Sequence, residues 1–135
     1  MNNFRIYLKA NERLYINGAV VRTDRKVGIE LMNDAVFLLE GHVLQEEDAT
    51  TDLRRFYFLL QSMLMEPLRA MAVRSAAIES CRALGLRYRS EDVGEGLLRV
   101  ELLLRSDKLI EAMKELRDLY LAHEAQQQSD TVTAA

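Results

Sequence analysis

A chain of 135 residues, 49% hydrophobic and 29% charged, is long enough to bury one useful core and too apolar to stay disordered over most of its length. Its single cysteine, Cys81, excludes an internal disulfide and a thiolate-built zinc site. The net charge of −3 argues against nucleic acid only until its distribution is examined, because the total conceals blocks of opposite sign.

The first residues, Met1 to Arg5, lack the basic-then-apolar layout of a secretory signal. No apolar run approaches the roughly 20 residues that span a bilayer, so a cytoplasmic protein with no membrane partner is expected. From Phe4 the chain alternates apolar and polar residues, with Phe4, Ile6 and Leu8 against Arg5, Tyr7 and Lys9, the period of a half-buried strand. Leu14 and Ile16 alternate with Arg13 and Tyr15, and Asn17-Gly18 then leads into Ala19-Val20-Val21. Asn-Gly between β-formers predicts a tight hairpin, since both residues tolerate positive φ. Thr23-Asp24-Arg25 predicts a second turn, Val27, Ile29 and Leu31 a fourth strand, and the apolar run Ala35 to Leu39 a fifth. Residues 1 to 28 carry six basic side chains against two acids, whereas residues 29 to 52 carry seven acids and no Lys or Arg.

The period changes after Thr50. Leu53, Phe56, Tyr57, Leu60 and Leu64 fall on one helical face, and Thr50, Thr51 or Asp52 suits the N-cap. Pro67, the only proline, marks a break and the first turn of a second helix ending near Gly85. Leu86 to Arg89 reads as a short extended piece, and Gly94 and Gly96 as interruptions before Leu97, Val100 and Leu104 resume helical spacing. A bend near Ser106-Asp107 precedes a last helix with a stripe of Leu109, Met113, Leu116 and Tyr120. The expected class is therefore α+β, one domain in which a small antiparallel sheet or partly closed barrel of about five short strands is followed by three to four helices. Its expected segments are a β-rich stretch over 1–49, helices over 50–125 and a disordered tail over 126–135.

The run Leu8-Lys9-Ala10-Asn11-Glu12-Arg13-Leu14-Tyr15-Ile16-Asn17-Gly18-Ala19-Val20-Val21-Arg22-Thr23-Asp24-Arg25-Lys26-Val27 resembles the flagellin regulator FlbT family. The likeness continues through Glu30, Leu31, Asn33-Asp34 and Phe37 to Glu40, and more loosely to Phe58. It implies a post-transcriptional regulator that acts at the 5′ untranslated region of flagellin mRNA, represses translation and promotes decay, alongside a second small protein, FlaF. It also implies a chain with no catalytic centre or cofactor of its own. A fainter likeness, in Glu12, Leu14, Ile16 and Val20, is to the carbon storage regulator. That family grips RNA with a basic residue after its last strand, where this chain has Glu40-Gly41-His42 and an acidic run.

For RNA, the β segment offers cations on strands and turns beside Tyr7 and Tyr15, suited to phosphate contacts and base stacking. Arg22, Arg25 and Lys26 cluster about one turn and are the first expected phosphate contacts, with Arg5, Lys9 and Arg13 next and Tyr15 for stacking, all inferred to share a face. A solvated strand surface is the plain alternative. The seven arginines from Arg54 to Arg89 either make a second basic surface or pair with the acidic stretch from Glu40 to Asp52 inside the fold, and pairing is expected. Neither His42 nor His123 has a ligand-spaced companion, and no phosphate-binding loop or nucleophile elbow is present, so neither a metal site nor an enzyme is expected. The stripe Leu109, Met113, Leu116 and Tyr120 is either core or a surface for FlaF or flagellin, which would make the chain a protein-binding adaptor. Self-association is a further expectation.

Overall fold

The computed structural model describes residues 4–134, with side chains placed for residues 5–129. The chain divides into two compact units at Val43/Leu44.

The first unit holds five strands: β1 (Phe4–Leu8), β2 (Arg13–Ile16), β3 (Ala19–Arg22), β4 (Val27–Leu31) and β5 (Phe37–Leu39). They form two small antiparallel sheets, β1-β4 and β3-β2-β5, that do not close into a barrel. Asn17 and Gly18 take φ of 47° and 83° and join the opposed pair Ile16 and Ala19 as a two-residue turn. The side chain of Asn17 also accepts a hydrogen bond from the Val36 N–H at 3.0 Å, tying the hairpin to the approach of β5. Because side chains alternate, Ile6 and Leu8 on β1 and Leu14 on β2 face inward and are buried. Ile16, Val27, Ile29, Leu31, Phe37 and Leu39 pack partly buried around them.

The second unit holds four helices: α1 (Asp52–Met65), α2 (Pro67–Arg87), α3 (Asp92–Arg105) and α4 (Leu109–Ala134). Each packs on the next, and α4 returns to α1. Thr51 caps α1, its hydroxyl accepting from the Arg54 N–H at 3.1 Å, and Pro67 opens α2. At the end of α3 the chain reverses through Asp107, whose φ is 59°. There the Lys108 N–H donates to the Leu103 carbonyl and the Asp107 N–H to the Leu104 carbonyl, the pairing of a Schellman stop. Tyr57, Leu60, Val100 and Leu116 are wholly buried.

Four expectations need correction. α2 runs through Leu86 to Arg87 instead of ending at Gly85, because Gly85 keeps a helical φ and terminates nothing. Gly94 and Gly96 lie inside α3, where a methyl group would collide with the Tyr88 carbonyl at Gly94 and with the Leu119 side chain at Gly96; they allow close packing. Residues 126 to 134 continue α4 as helix, with the placed side chains over 126–129 exposed. Gln126, Gln127 and Gln128 are good helix formers and extend α4 beyond its packed stretch, and weaker formers from Ser129 to Thr133 follow them. Finally, Met113, Leu116 and Tyr120 are buried in the helical core and Leu109 is partly covered, so this stripe packs within the chain and is not a partner surface.

Candidate nucleic-acid interface

The strand registers decide where the β-unit cations go. Leu8 opposes Val27 at the last rung of β1-β4, so Lys9 and Lys26 leave that ribbon side by side in sequence terms. Arg13 opposes Arg22 at the last rung of β2-β3. The connections between these rungs, 9–12 and 23–26, are joined by a 2.7 Å bond from the Asn11 N–H to the Thr23 carbonyl. Lys9, Arg13, Arg22, Arg25 and Lys26 therefore gather at one end of the unit.

Local bonds shape that end. Asn11 takes φ of 67°, the Glu12 N–H donates to the Lys9 carbonyl at 3.1 Å, and the Glu12 carboxylate accepts from the Lys9 N–H at 2.9 Å. Across from it the Thr23 hydroxyl donates to the Arg25 carbonyl at 3.0 Å. Arg25 grips Asp24 through two bonds of 3.0 and 3.3 Å, which hold the Asp24 carboxyl below the usual carboxylate range. Arg13 has a longer pairing with Glu40 at 3.9 Å. Arg22 and Lys26 are exposed and make no ion pair among the described residues.

Arg13 and Arg22 are like charges directly across a strand pair, an arrangement that destabilises a hairpin unless an anion offsets it. Tyr15 shares their face two rungs on, half-buried between exposed Val20 and buried Leu38.

The single basic face is not what the structure contains. Arg5 projects from the outward face of β1-β4, opposite Glu30 and paired with it at 3.5 Å. Since the two sheets bury their inner faces against a common core, Arg5 and Tyr7 point away from that core on one side and Arg13, Tyr15 and Arg22 on the other. Tyr7 lies across Gly28 and is 65% exposed, so it offers a more open ring than Tyr15.

In the helical unit, only Asp52 of the acidic stretch takes one of the seven arginines, accepting from Arg87 at 2.7 Å. Four of the others pair with acids elsewhere, and Arg55 and Arg89 make no ion pair among the described residues. Arg54 binds Glu124 through bonds of 2.7 and 2.8 Å and lies 4.7 Å over the Tyr120 ring. Arg74, Arg69 and Arg82 pair with Asp107, Glu66 and Glu79. Asp52 also accepts from the Tyr88 hydroxyl at 2.9 Å. Burial opposes ionisation of Asp52, but Tyr88 and Arg87 outweigh it and hold its pKa low. His123 meets the Tyr88 ring edge-on at 5.4 Å. Sequence reading missed Gln61, whose buried amide accepts from the Leu44 N–H at 2.7 Å and donates to the Leu44 carbonyl at 2.8 Å. A glutamine beside Leu60 in an apolar stripe was the available signal.

Cys81 is buried with its thiol on the Leu97 carbonyl at 3.4 Å, and burial pushes its pKa up to about 12, the opposite of a reactive thiolate. Among the described residues no helix is long and apolar enough to cross a membrane.

The family described as "Flagellar protein FlbT" matches residues 4–127. A protein of Chelativorans sp. (strain BNC1) described as a probable flagellum biosynthesis repressor FlbT is 46% identical over 119 residues, 88% of this chain and 82% of its own. A protein of the same description from Mesorhizobium japonicum is 44% identical over 119 residues, 88% and 81% of the two chains. One from Brucella anthropi is 43% identical over 116 residues, 86% and 76%. No solved structure matches the chain.

Proposed function

The chain belongs to the FlbT family of flagellar proteins, and we propose that it represses flagellin synthesis in the cytoplasm by holding the 5′ untranslated region of the flagellin message. The observation that supports this reading is the strand end where Lys9, Arg13, Arg22, Arg25 and Lys26 gather, with Arg22 and Lys26 free of ion pairs among the described residues. Arg13 and Arg22 oppose each other as like charges that only a long Arg13–Glu40 pairing offsets, and a phosphate between them adds the missing counter-charge, which favours polyanion binding without a catalytic step. Occupancy of the leader blocks initiation, and the cell's ribonucleases complete the decay of an untranslated message. The names of the relatives, flagellum biosynthesis repressors, agree with that outcome.

Each neutralised phosphate of single-stranded RNA contributes about −0.7 to the slope of log affinity against log salt. Binding of a flagellin-leader transcript is therefore expected to show a slope near −3 if about four phosphates are held. Replacing Arg22, Arg25 and Lys26 together by Ala should weaken binding and reduce the slope by about 2. Equal affinity and equal slope for wild type and triple variant would remove the strand end as the site.

A further inference from the structure

α3 carries two stripes. Val93, Leu97, Val100 and Leu104 are buried inward against the other helices. Glu95, Leu98, Leu102 and Arg105 form a second stripe at steps of three, four and three, the spacing of a heptad seam. All four are exposed, Leu98 at 61% and Leu102 at 64%, and Leu86 of α2, 67% exposed, flanks them. Exposed leucines at seam spacing have no role in the bundle that α3 already completes.

The stripe is symmetric in spacing and opposite in charge about the level of Val100, acid, leucine, leucine, base, so its reverse is its complement. Two copies of α3 laid antiparallel set Glu95 of each against Arg105 of the other, and Leu98 of each against Leu102 of the other. A two-fold axis demands that kind of self-complementary patch. Arg99, the neighbouring base, is held by Glu115 at 2.7 Å and leaves the seam clear. Arg105 bonds Glu101 on its own helix through Nε at 2.9 Å, so its other guanidinium N–H groups remain able to reach a carboxylate across the seam. Glu95 makes no ion pair among the described residues.

We propose that the outer face of α3 is a homodimer interface, in which the exposed Glu95-Leu98-Leu102-Arg105 stripe packs antiparallel on the same stripe of a second copy. One helix pair is a small interface, so the dissociation constant is expected on the order of micromolar. This inference is independent of RNA binding, which uses the other unit.

Sedimentation velocity of the full chain over a concentration series tests it. The wild type is expected to pass from monomer to dimer. Glu95→Arg and Arg105→Glu should each raise the dissociation constant roughly tenfold, because two symmetric pairs turn repulsive. The double reversal should restore dimerisation, and Leu98→Glu with Leu102→Glu should abolish it. A second readout is crosslinking by a short bismaleimide, since buried Cys81 stays silent. Leu98→Cys chains mixed with Leu102→Cys chains should link faster than Leu98→Cys chains alone. A wild type that stays monomeric, or that pairs only with a different protein, overturns the proposal. So does a dimer that survives the two Glu substitutions, a double reversal that fails to rescue, or crosslinking with no preference for the mixed pair.

Discussion

The two units hold their charges in different ways. In the helical unit, three arginines are tied to acids far along the chain, Arg54 to Glu124, Arg87 to Asp52 and Arg99 to Glu115, at 2.7 Å each, beside pairs one helical turn apart such as Arg69 with Glu66 and Arg105 with Glu101. In the β unit the pairs are with adjacent residues or across a strand, Arg25 with Asp24, Arg5 with Glu30 and Arg13 with Glu40, and three cations, Lys9, Arg22 and Lys26, have no ion pair among the described residues. Their cores differ likewise. The helical unit buries many large side chains, whereas the β unit buries only Ile6, Leu8, Leu14 and Leu38 among its described residues and leaves those packed around its core partly open. The difference teaches that one unit spends its polar groups on its own structure and the other presents them outward.

The sharpest way to break this contrast is in the cores. Leu116→Ala, at a side chain with no exposure, is expected to destabilise by about 2 to 5 kcal/mol in denaturant unfolding, since a close-packed surround relaxes only partly into the cavity left behind. A change under about 1 kcal/mol would mean that the helical core is loosely packed.

A smaller effect separates the units by pH. Burial and the bond to Asp52 push the Tyr88 phenol up to about 12 from 10.0. Its folded form holds the proton more tightly, so its contribution is fully present below pH 10.0 and is lost as pH rises towards about 12. Tyr57 and Tyr120, raised chiefly by burial, act with the same sign. Thermal melts should fall over this range, and Tyr88→Phe should flatten the decline without removing it. An unchanged pH profile in Tyr88→Phe would dissociate Tyr88 from the effect.

The smallest expected change is Arg22→Ala. An exposed residue opposite a like charge should shift stability by no more than about 0.5 kcal/mol, in the stabilising direction. A clear loss of stability would assign Arg22 to the structure of the hairpin instead of to a ligand.

Much of the fold is legible in the residues because it rests on local rules. Alternation places β1, β2 and β4, Asn17-Gly18 the hairpin into β3, an apolar run between turns β5, the group Thr50-Thr51-Asp52 and Pro67 the starts of α1 and α2, and Ser106-Asp107 the reversal after α3. The site is only half legible. Clustering of Arg22, Arg25 and Lys26 follows from their adjacency, but the arrival of Lys9 and Arg13 beside them depends on the Leu8–Val27 and Arg13–Arg22 registers. The departure of Arg5 to another face depends on how two sheets share one core.

The sequence by itself determined the order of strands and helices and where most of them begin, because periodicity, turn residues and caps act within a few positions of the chain. The extents of α2, α3 and α4 exceed what those local signals mark. Only the tertiary structure decided that Gly94 and Gly96 serve close packing, that the stripe on α4 is core, and that the stripe on α3 is left open. A helix with two apolar stripes carries no local mark of which one its neighbours will cover. That choice is made by the competition among all the packed surfaces at once.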